Sequence, residues 1–290
     1  MLYTHAFTGI GTQWHISVDH TTEPKDLWCL IDETVNVFAD KFSRFKSGSL
    51  VNHFKNSPAG VYKIDPEFAV LLSFAQKLKE ITSGQFNPAI SELLSLTGYD
   101  SSYSFTPQEN KIKDWQIQTW SITEDSLRIE GPISFDFGGF GKGYLIDKLS
   151  SLITSQGFSN FIVDGGGDMY GTQKGKNQPW NIAIENPHDN TQSIGVIKLD
   201  HKGLAVSDIF KRRWNNRHHI VDPIQKGSAD NIIACSVLAD NAMTADGLTT
   251  CFMLSPQKLW QNLSQKFHAN YLVITSDNQI IVDPNWPGEF

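Results

Sequence analysis

Residues 136–147 read Asp-Phe-Gly-Gly-Phe-Gly-Lys-Gly-Tyr-Leu-Ile-Asp. Gly138, Gly139 and Gly141, followed by Gly143, leave backbone N–H and C=O groups open to close approach by a ligand. The stretch follows a strand-like run over 126–135 and opens a helix predicted over 142–156. A helix N-terminus favours an anion such as phosphate. Lys142 adds a full positive charge and Asp136 a carboxylate. That composition points to a phosphate site with a metal. The competing reading is a tight strand-to-helix turn with no ligand.

Two familiar phosphate motifs fail here. A P-loop ends in Gly-Lys-Ser/Thr, but Gly143 stands where the hydroxyl residue belongs and Asp136 where the first glycine belongs. A dinucleotide fingerprint begins at Gly139-Phe140-Gly141, but Tyr144 occupies its third glycine position. A second candidate lies in a helix predicted over 241–254. There Asp246 and Thr250, four apart, share one face and offer two hard oxygen ligands of the kind Mg²⁺ takes. The plain alternative is Thr250 bonding back to its own helix and Asp246 as a surface charge.

The chain resembles the ApbE-like flavin transferases, the FAD:protein FMN transferases, in a series of blocks that occur in the family's order. Residues 136–147 are similar to the signature Asp-x-Gly-Gly-x-(Ala/Gly)-Lys-Gly-Tyr-x-x-Asp. Before it come Ile10-Gly11-Thr12, then Phe42-Ser43-Arg44-Phe45 with Leu50 and Asn52, then Thr82-Ser83-Gly84-Gln85-Phe86-Asn87-Pro88-Ala89. After it come Gly165-Gly166-Gly167-Asp168, His219-Ile220-Val221-Asp222-Pro223, and Ala245-Asp246-Gly247-Leu248-Thr249-Thr250. The likeness runs from about residue 7 to the C-terminus. Three departures stand out. Asn87 replaces an Asp, Ala89 replaces a Thr, and Ser207-Asp208-Ile209-Phe210 lacks the glycine of Ser-Gly-Asp-(Tyr/Phe).

The resemblance implies a reaction. A Ser or Thr hydroxyl of an acceptor flavoprotein, of respiratory or reductase type, attacks the FMN-side phosphorus of FAD and AMP leaves. It implies FAD contacts at Ile10, Phe45, Phe86, Asn87, Pro88, Ala89, Asp136, Lys142 and His219. It implies Mg²⁺ ligands at Asp246, Thr250 and a backbone carbonyl placed at Gly139. His219, Lys142 and Asp168 are the catalytic candidates. His219, well populated in its neutral form near neutral pH, suits a general base, Lys142 supplies a point charge, and Asp136 and Asp168 orient substrate or support the groups that touch it. Read alone, His219 is rather a core or turn histidine bonded to Asp222, and Asp168 a turn residue. Phe45 stacks on a flavin or adenine ring or serves as a core aromatic. His218 lies next to His219, and on a strand the two point to opposite faces. Two other readings are an Mg²⁺-dependent FAD diphosphatase, with water as acceptor, and a non-catalytic FAD-binding protein.

The elements that must position these residues read as α+β. Strands are expected over 7–18, 116–122, 126–129, 161–163, 180–185, 193–199, 204–207, 232–239, 270–276 and 279–282. Helices are expected from residue 23 to 39, from Asp65-Pro66 to residue 81, and over 90–96, 142–156, 241–254 and 256–267. Asp147, inside the central helix, reads as structural, capping or bridging nearby groups. Residues 98–113 read as a polar surface excursion, 208–217 as a basic loop, and 284–290 as a peripheral tail. With hairpin-spaced strands, no internal repeat and no linker, 1–290 reads as one ApbE-like domain. A mostly antiparallel sheet forms its core and helices pack around it.

Composition fits that picture. Apolar content of 40% and charged content of 19% are globular values. A net charge of −7 argues against a nucleic-acid partner and requires local positive charge, helix ends or a metal to hold an anionic ligand. Cys29, Cys235 and Cys251 are far apart and lie in apolar contexts, so buried packing is expected rather than a disulfide or metal. No apolar run reaches the roughly 18 residues of a membrane span. With no signal-peptide pattern at residues 1–10, the expected location is the cytoplasm, or the periplasm where a leader has been removed.

Overall fold

The computed structural model describes residues 1–175 and 177–289; Phe290, at the end of the expected tail, lies outside them. Its centre is an eight-stranded sheet. Across the sheet the strands run Leu2–Gly9, Thr12–Asp19, Phe161–Gly165, Asp168–Gly171, Lys202–Asp208, Ile232–Ala239, Asn270–Thr275 and Ile280–Val282. Every neighbouring pair is antiparallel. Burial follows position. Ile232–Ala239, inside the sheet, is buried at every residue, whereas the edge strand Leu2–Gly9 alternates exposed and half-buried. A second sheet of three short strands takes the order Gly60–Lys63, Ser126–Ile129, Trp120–Thr123. Beside it lies the helix Pro66–Ile81, whose N-cap Asp65 accepts the N–H groups of Glu67 and Phe68 at 2.9 and 3.1 Å. The architecture is α+β with an antiparallel core, as expected.

Two helices carry the signature residues. Gly141–Ser155 and Ala242–Leu254 pack on each other and on the central sheet. Their crossing is close because of Gly143, where a Cβ would stand 2.2 Å from the Ala242 carbonyl oxygen. Asn241, expected as the first residue of the second helix, is instead its N-cap and accepts the Thr244 N–H at 2.8 Å.

Along the main sheet one expectation needs correction and another needs extending. Residues 7–18 are not one strand but the halves of a hairpin joined at Ile10-Gly11, both at positive φ (41° and 79°). The glycine run ends the strand Phe161–Gly165, as expected, but it also turns the chain back as a hairpin. Gly166-Gly167 turn at φ 71° and 97°, and Asp168 opens a return strand, Asp168–Gly171. Positive φ at both central residues is the signature of a tight hairpin turn. Ile is poorly suited to it, so the backbone at Ile10 is strained. Elsewhere the excursion after Gly98 contains a helix, Glu109–Asp114. It forms a small core with Leu93, Leu94, Ile112, Trp115 and Val221. The tail is not wholly peripheral either, since Glu289 pairs with Val196 through both backbone groups.

Candidate active site

A cleft of about 610 Å³ opens where the N-terminal end of Gly141–Ser155 and the Asp246, Thr250 and Leu254 face of Ala242–Leu254 meet the Ile10-Gly11 turn. Lys142, in the first turn of its helix, extends to two carboxylates. It contacts Asp168 directly and stands 3.5 Å from Asp246 Oδ1. Burial disfavours the ammonium, but the charges of Asp168 and then Asp246 outweigh burial and hold Lys142 above the ordinary lysine range. Asp246 responds in the opposite sense. Burial, reinforced by Asp168, pushes its carboxyl up, while Lys142 and the Gly143 N–H (2.9 Å) pull it down. One turn on, Thr250 donates its hydroxyl to the Gly139 carbonyl at 3.3 Å. A Cβ on Gly139 would lie 3.0 Å from Thr250 Oγ1, so that approach depends on the glycine. Three hard oxygens of different origin thus collect at the cleft: a carboxylate, a hydroxyl and a backbone carbonyl.

His219 faces the same cleft, and His218 does not. His218 is buried, accepts the Ile220 N–H on Nδ1 at 3.3 Å, and directs Nε2 toward Asp230. His219 sits on a bend rather than a strand, its N–H donating to the Arg212 carbonyl at 3.3 Å. Its Nδ1 is buried with no hydrogen-bond partner among the described residues. Asp222 does not supply one; its carboxylate caps its own turn, accepting from Ile224 and Gln225. Burial, then the charge of Arg212, pushes the His219 imidazole down to about 3, so the ring is neutral.

The opposite wall is built on a buried ion pair. Arg44, whose side chain is 5% exposed, holds Asp136 through Nε at 2.8 Å. The other Asp136 oxygen accepts the Gly138 N–H at 2.8 Å. The Arg44 guanidinium also donates to the Tyr99 carbonyl, and it lies 4.2 and 4.8 Å from the ring centroids of Phe45 and Tyr99. Beyond them, Tyr99 stacks on Trp214 at 5.6 Å, and Tyr103 and Phe105 close the aromatic wall.

A family model described as the ApbE family matches residues 10–274. The chain belongs to the ApbE family. Among curated relatives, it is similar to the FAD:protein FMN transferase of Buchnera aphidicola, 25% identical over 290 residues, covering 93% of this chain and 84% of the relative. The FAD:protein FMN transferase of Haemophilus influenzae is 27% identical over 268 residues, covering 83% and 76%. Among solved structures, the ApbE protein of Thermotoga maritima superposes with a TM-score of 0.87 at 24% identity, covering 98% of this chain and 97% of that one. The flavin transferase ApbE of Vibrio cholerae gives 0.85 at 20% identity, covering 98% and 97%.

With the ApbE family in view, the positions of the expected site residues can be read off. Ile10, Phe45, Phe86, Asn87, Pro88 and Asp136 line the cleft, as do Gly139, Lys142, His219, Asp246 and Thr250. Two do not. Ala89 is buried behind the wall, its N–H closing a turn on Asn87 Oδ1 at 3.0 Å, so its side chain is not a ligand contact. Asp168 is 1% exposed and lies behind Lys142. One of its oxygens accepts the Val206 N–H at 3.0 Å and the other meets the ammonium, so it positions Lys142 rather than touching substrate. Asn87 lines the cleft, yet its carbonyl oxygen serves the fold by also accepting the Trp120 indole N–H at 3.0 Å. The sequence reading gave no role to Arg44, Tyr99, Tyr103, Phe105 or Trp214. The available signal was the aromatic content of residues 99–105, three rings in an excursion otherwise polar.

Proposed function

We propose that this chain, acting as one domain over 1–290, transfers the FMN half of FAD to a Ser or Thr hydroxyl of an acceptor flavoprotein of respiratory or reductase type and releases AMP. The observation that carries this reading is the convergence in one cleft of the Lys142 ammonium, the Asp246, Thr250 and Gly139 oxygens, and the neutral His219. His219 takes the proton as the acceptor oxygen bonds to the FMN-side phosphorus. The bond from that phosphorus to the bridging oxygen breaks, and AMP departs with the electron pair. Lys142, held charged by Asp168 and Asp246, would offset the negative charge that builds on the pyrophosphate. The aromatic wall of Phe45, Tyr99 and Tyr103 suits the flat rings of the dinucleotide.

Mg²⁺ fits the donor set. Asp246, Thr250 and the Gly139 carbonyl are hard oxygens of the type that ion takes, with phosphate oxygens and water completing its shell. When bound it would neutralise pyrophosphate charge and polarise the phosphorus. The decisive experiment incubates the protein with FAD, Mg²⁺ and an acceptor protein. A fluorescent covalent acceptor band together with AMP supports transfer. Free FMN with AMP would make water the acceptor and the chain a diphosphatase. Bound but unchanged FAD would make it a carrier.

A further inference from the structure

The basic loop at 208–217 supplies three cationic side chains to the cleft, and they are not equivalent. Lys211 is committed to Glu185 at 3.1 Å and Asp208 at 3.7 Å. Arg213 is exposed and begins the two-residue ribbon Arg213–Trp214, paired with Arg217–His218. Arg212 is half-buried, lines the cleft, and makes no ion pair and no side-chain hydrogen bond among the described residues. Lys142, His219 and Tyr99 line the same cleft, so the guanidinium shares their space. The two carboxylates that line the cleft with it are already paired, Asp246 with Lys142 and Asp136 with Arg44.

A partly desolvated guanidinium without a counter-ion is costly. It is held there nonetheless. The Arg212 carbonyl accepts the His219 N–H, and the adjacent Trp214 indole donates to the Thr97 carbonyl at 3.0 Å, pinning the ribbon to the far wall. An anchored planar fork with free donors matches an anion with several oxygens.

We propose that Arg212 is a substrate-binding residue that receives the pyrophosphate bridge of the dinucleotide, as a second cation beside Lys142. The proposal rests on the flavin-transferase reading and adds to it a residue and a consequence. With the anion in place, the Arg212 charge beside His219 is offset.

The test compares wild type, Arg212→Gln and Arg212→Lys for binding of FAD and of riboflavin, which carries no phosphate, by flavin fluorescence quenching. Arg212→Gln is expected to weaken FAD about 10–100-fold and to leave riboflavin unchanged, with Arg212→Lys between it and wild type. The salt dependence of FAD binding is expected to shrink in Arg212→Gln. Equal losses for FAD and riboflavin would show a merely structural role and overturn the proposal. Unchanged FAD affinity with a raised KM for the acceptor protein would overturn it in favour of an acceptor contact. Wild type that fails to bind FAD would instead overturn the transferase reading itself.

Discussion

The carboxylate of Asp147 accepts the Met243 N–H at 2.9 Å across 96 residues of chain, and the Ala242 N–H at 2.8 Å. One signature helix thus caps the other, and this fixes how Lys142 on the first meets Asp246 on the second. The cost of the arrangement is a buried carboxylate. Burial pushes the Asp147 carboxyl up to about 6, and the two N–H donors only partly counter it. Since the folded value exceeds the unfolded one, this group's contribution to stability is present below about pH 4 and is lost as pH rises through about 6. Asp147→Asn is expected to remove that dependence. The urea-derived stability difference between wild type and variant should shift by on the order of 2 kcal/mol between pH 4.5 and 7, in favour of wild type at low pH. A difference that is flat with pH would show that Asp147 is solvated and the capping geometry wrong.

Asn87 stands where the family has Asp, and its oxygen holds both the Trp120 indole and the Ala89 N–H. Asn87→Ala would strand two buried donors. The expected loss is about 1–3 kcal/mol of stability, with the KM for FAD nearly unchanged. A large rise in KM at unaltered stability would return Asn87 to substrate binding.

His219 yields a prediction about pH. Burial and the neighbouring Arg212 depress its imidazole to about 3, below the ordinary histidine value. A depressed histidine stays neutral as pH falls, so kcat/KM, which reports the free enzyme, is expected to be flat from pH 5 to 8 with no inflection near 6.5. Its burial as a neutral ring destabilises the fold only as pH drops below about 6.5, where the unfolded chain takes up the proton. His219→Ala is expected to lower transfer about 10²–10⁴-fold with FAD binding retained. An acid limb near 6.5 that disappears in His219→Ala would place the ring in solvent rather than in the buried site.

Local chemistry made much of this legible beforehand. Asp65-Pro66 announced a helix start, and the structure has its capping bonds. The spacing of Asp246 and Thr250 put both on one helical face at the cleft. Relationships across the chain were illegible. Lys142 and Asp246 are 104 residues apart, and no local pattern marks a carboxylate that waits for a distant lysine. The hairpins were missed for backbone reasons. Ile10 adopts a positive φ that its side chain disfavours, and three successive glycines suit a turn and a strand end equally well. The motif left Asp168 open between orienting substrate and supporting other site groups, and its burial behind Lys142, which no local pattern marks, decides for the second.

The metal assignment rests on three oxygens, two of which can be removed by substitution and the third displaced. Asp246→Ala deletes the carboxylate and is expected to abolish Mg²⁺-dependent transfer with the circular dichroism spectrum intact. It also leaves the Gly143 N–H without its partner, so a modest loss of stability should accompany it. Thr250→Val removes one ligand while keeping shape and is expected to weaken Mg²⁺ measurably without unfolding. Gly139→Ala leaves the carbonyl in the chain but sets a methyl about 3 Å from Thr250 Oγ1 and 3.4 Å from the Phe86 ring, forcing the hydroxyl and carbonyl apart. The same direction of change in Mg²⁺ affinity is therefore expected from a substitution that deletes no ligand atom. Calorimetric titration of Mg²⁺ in the presence of FAD measures all three. Full transfer by wild type in excess EDTA, or unaltered Mg²⁺ binding in both Asp246→Ala and Thr250→Val, would remove the metal from this place.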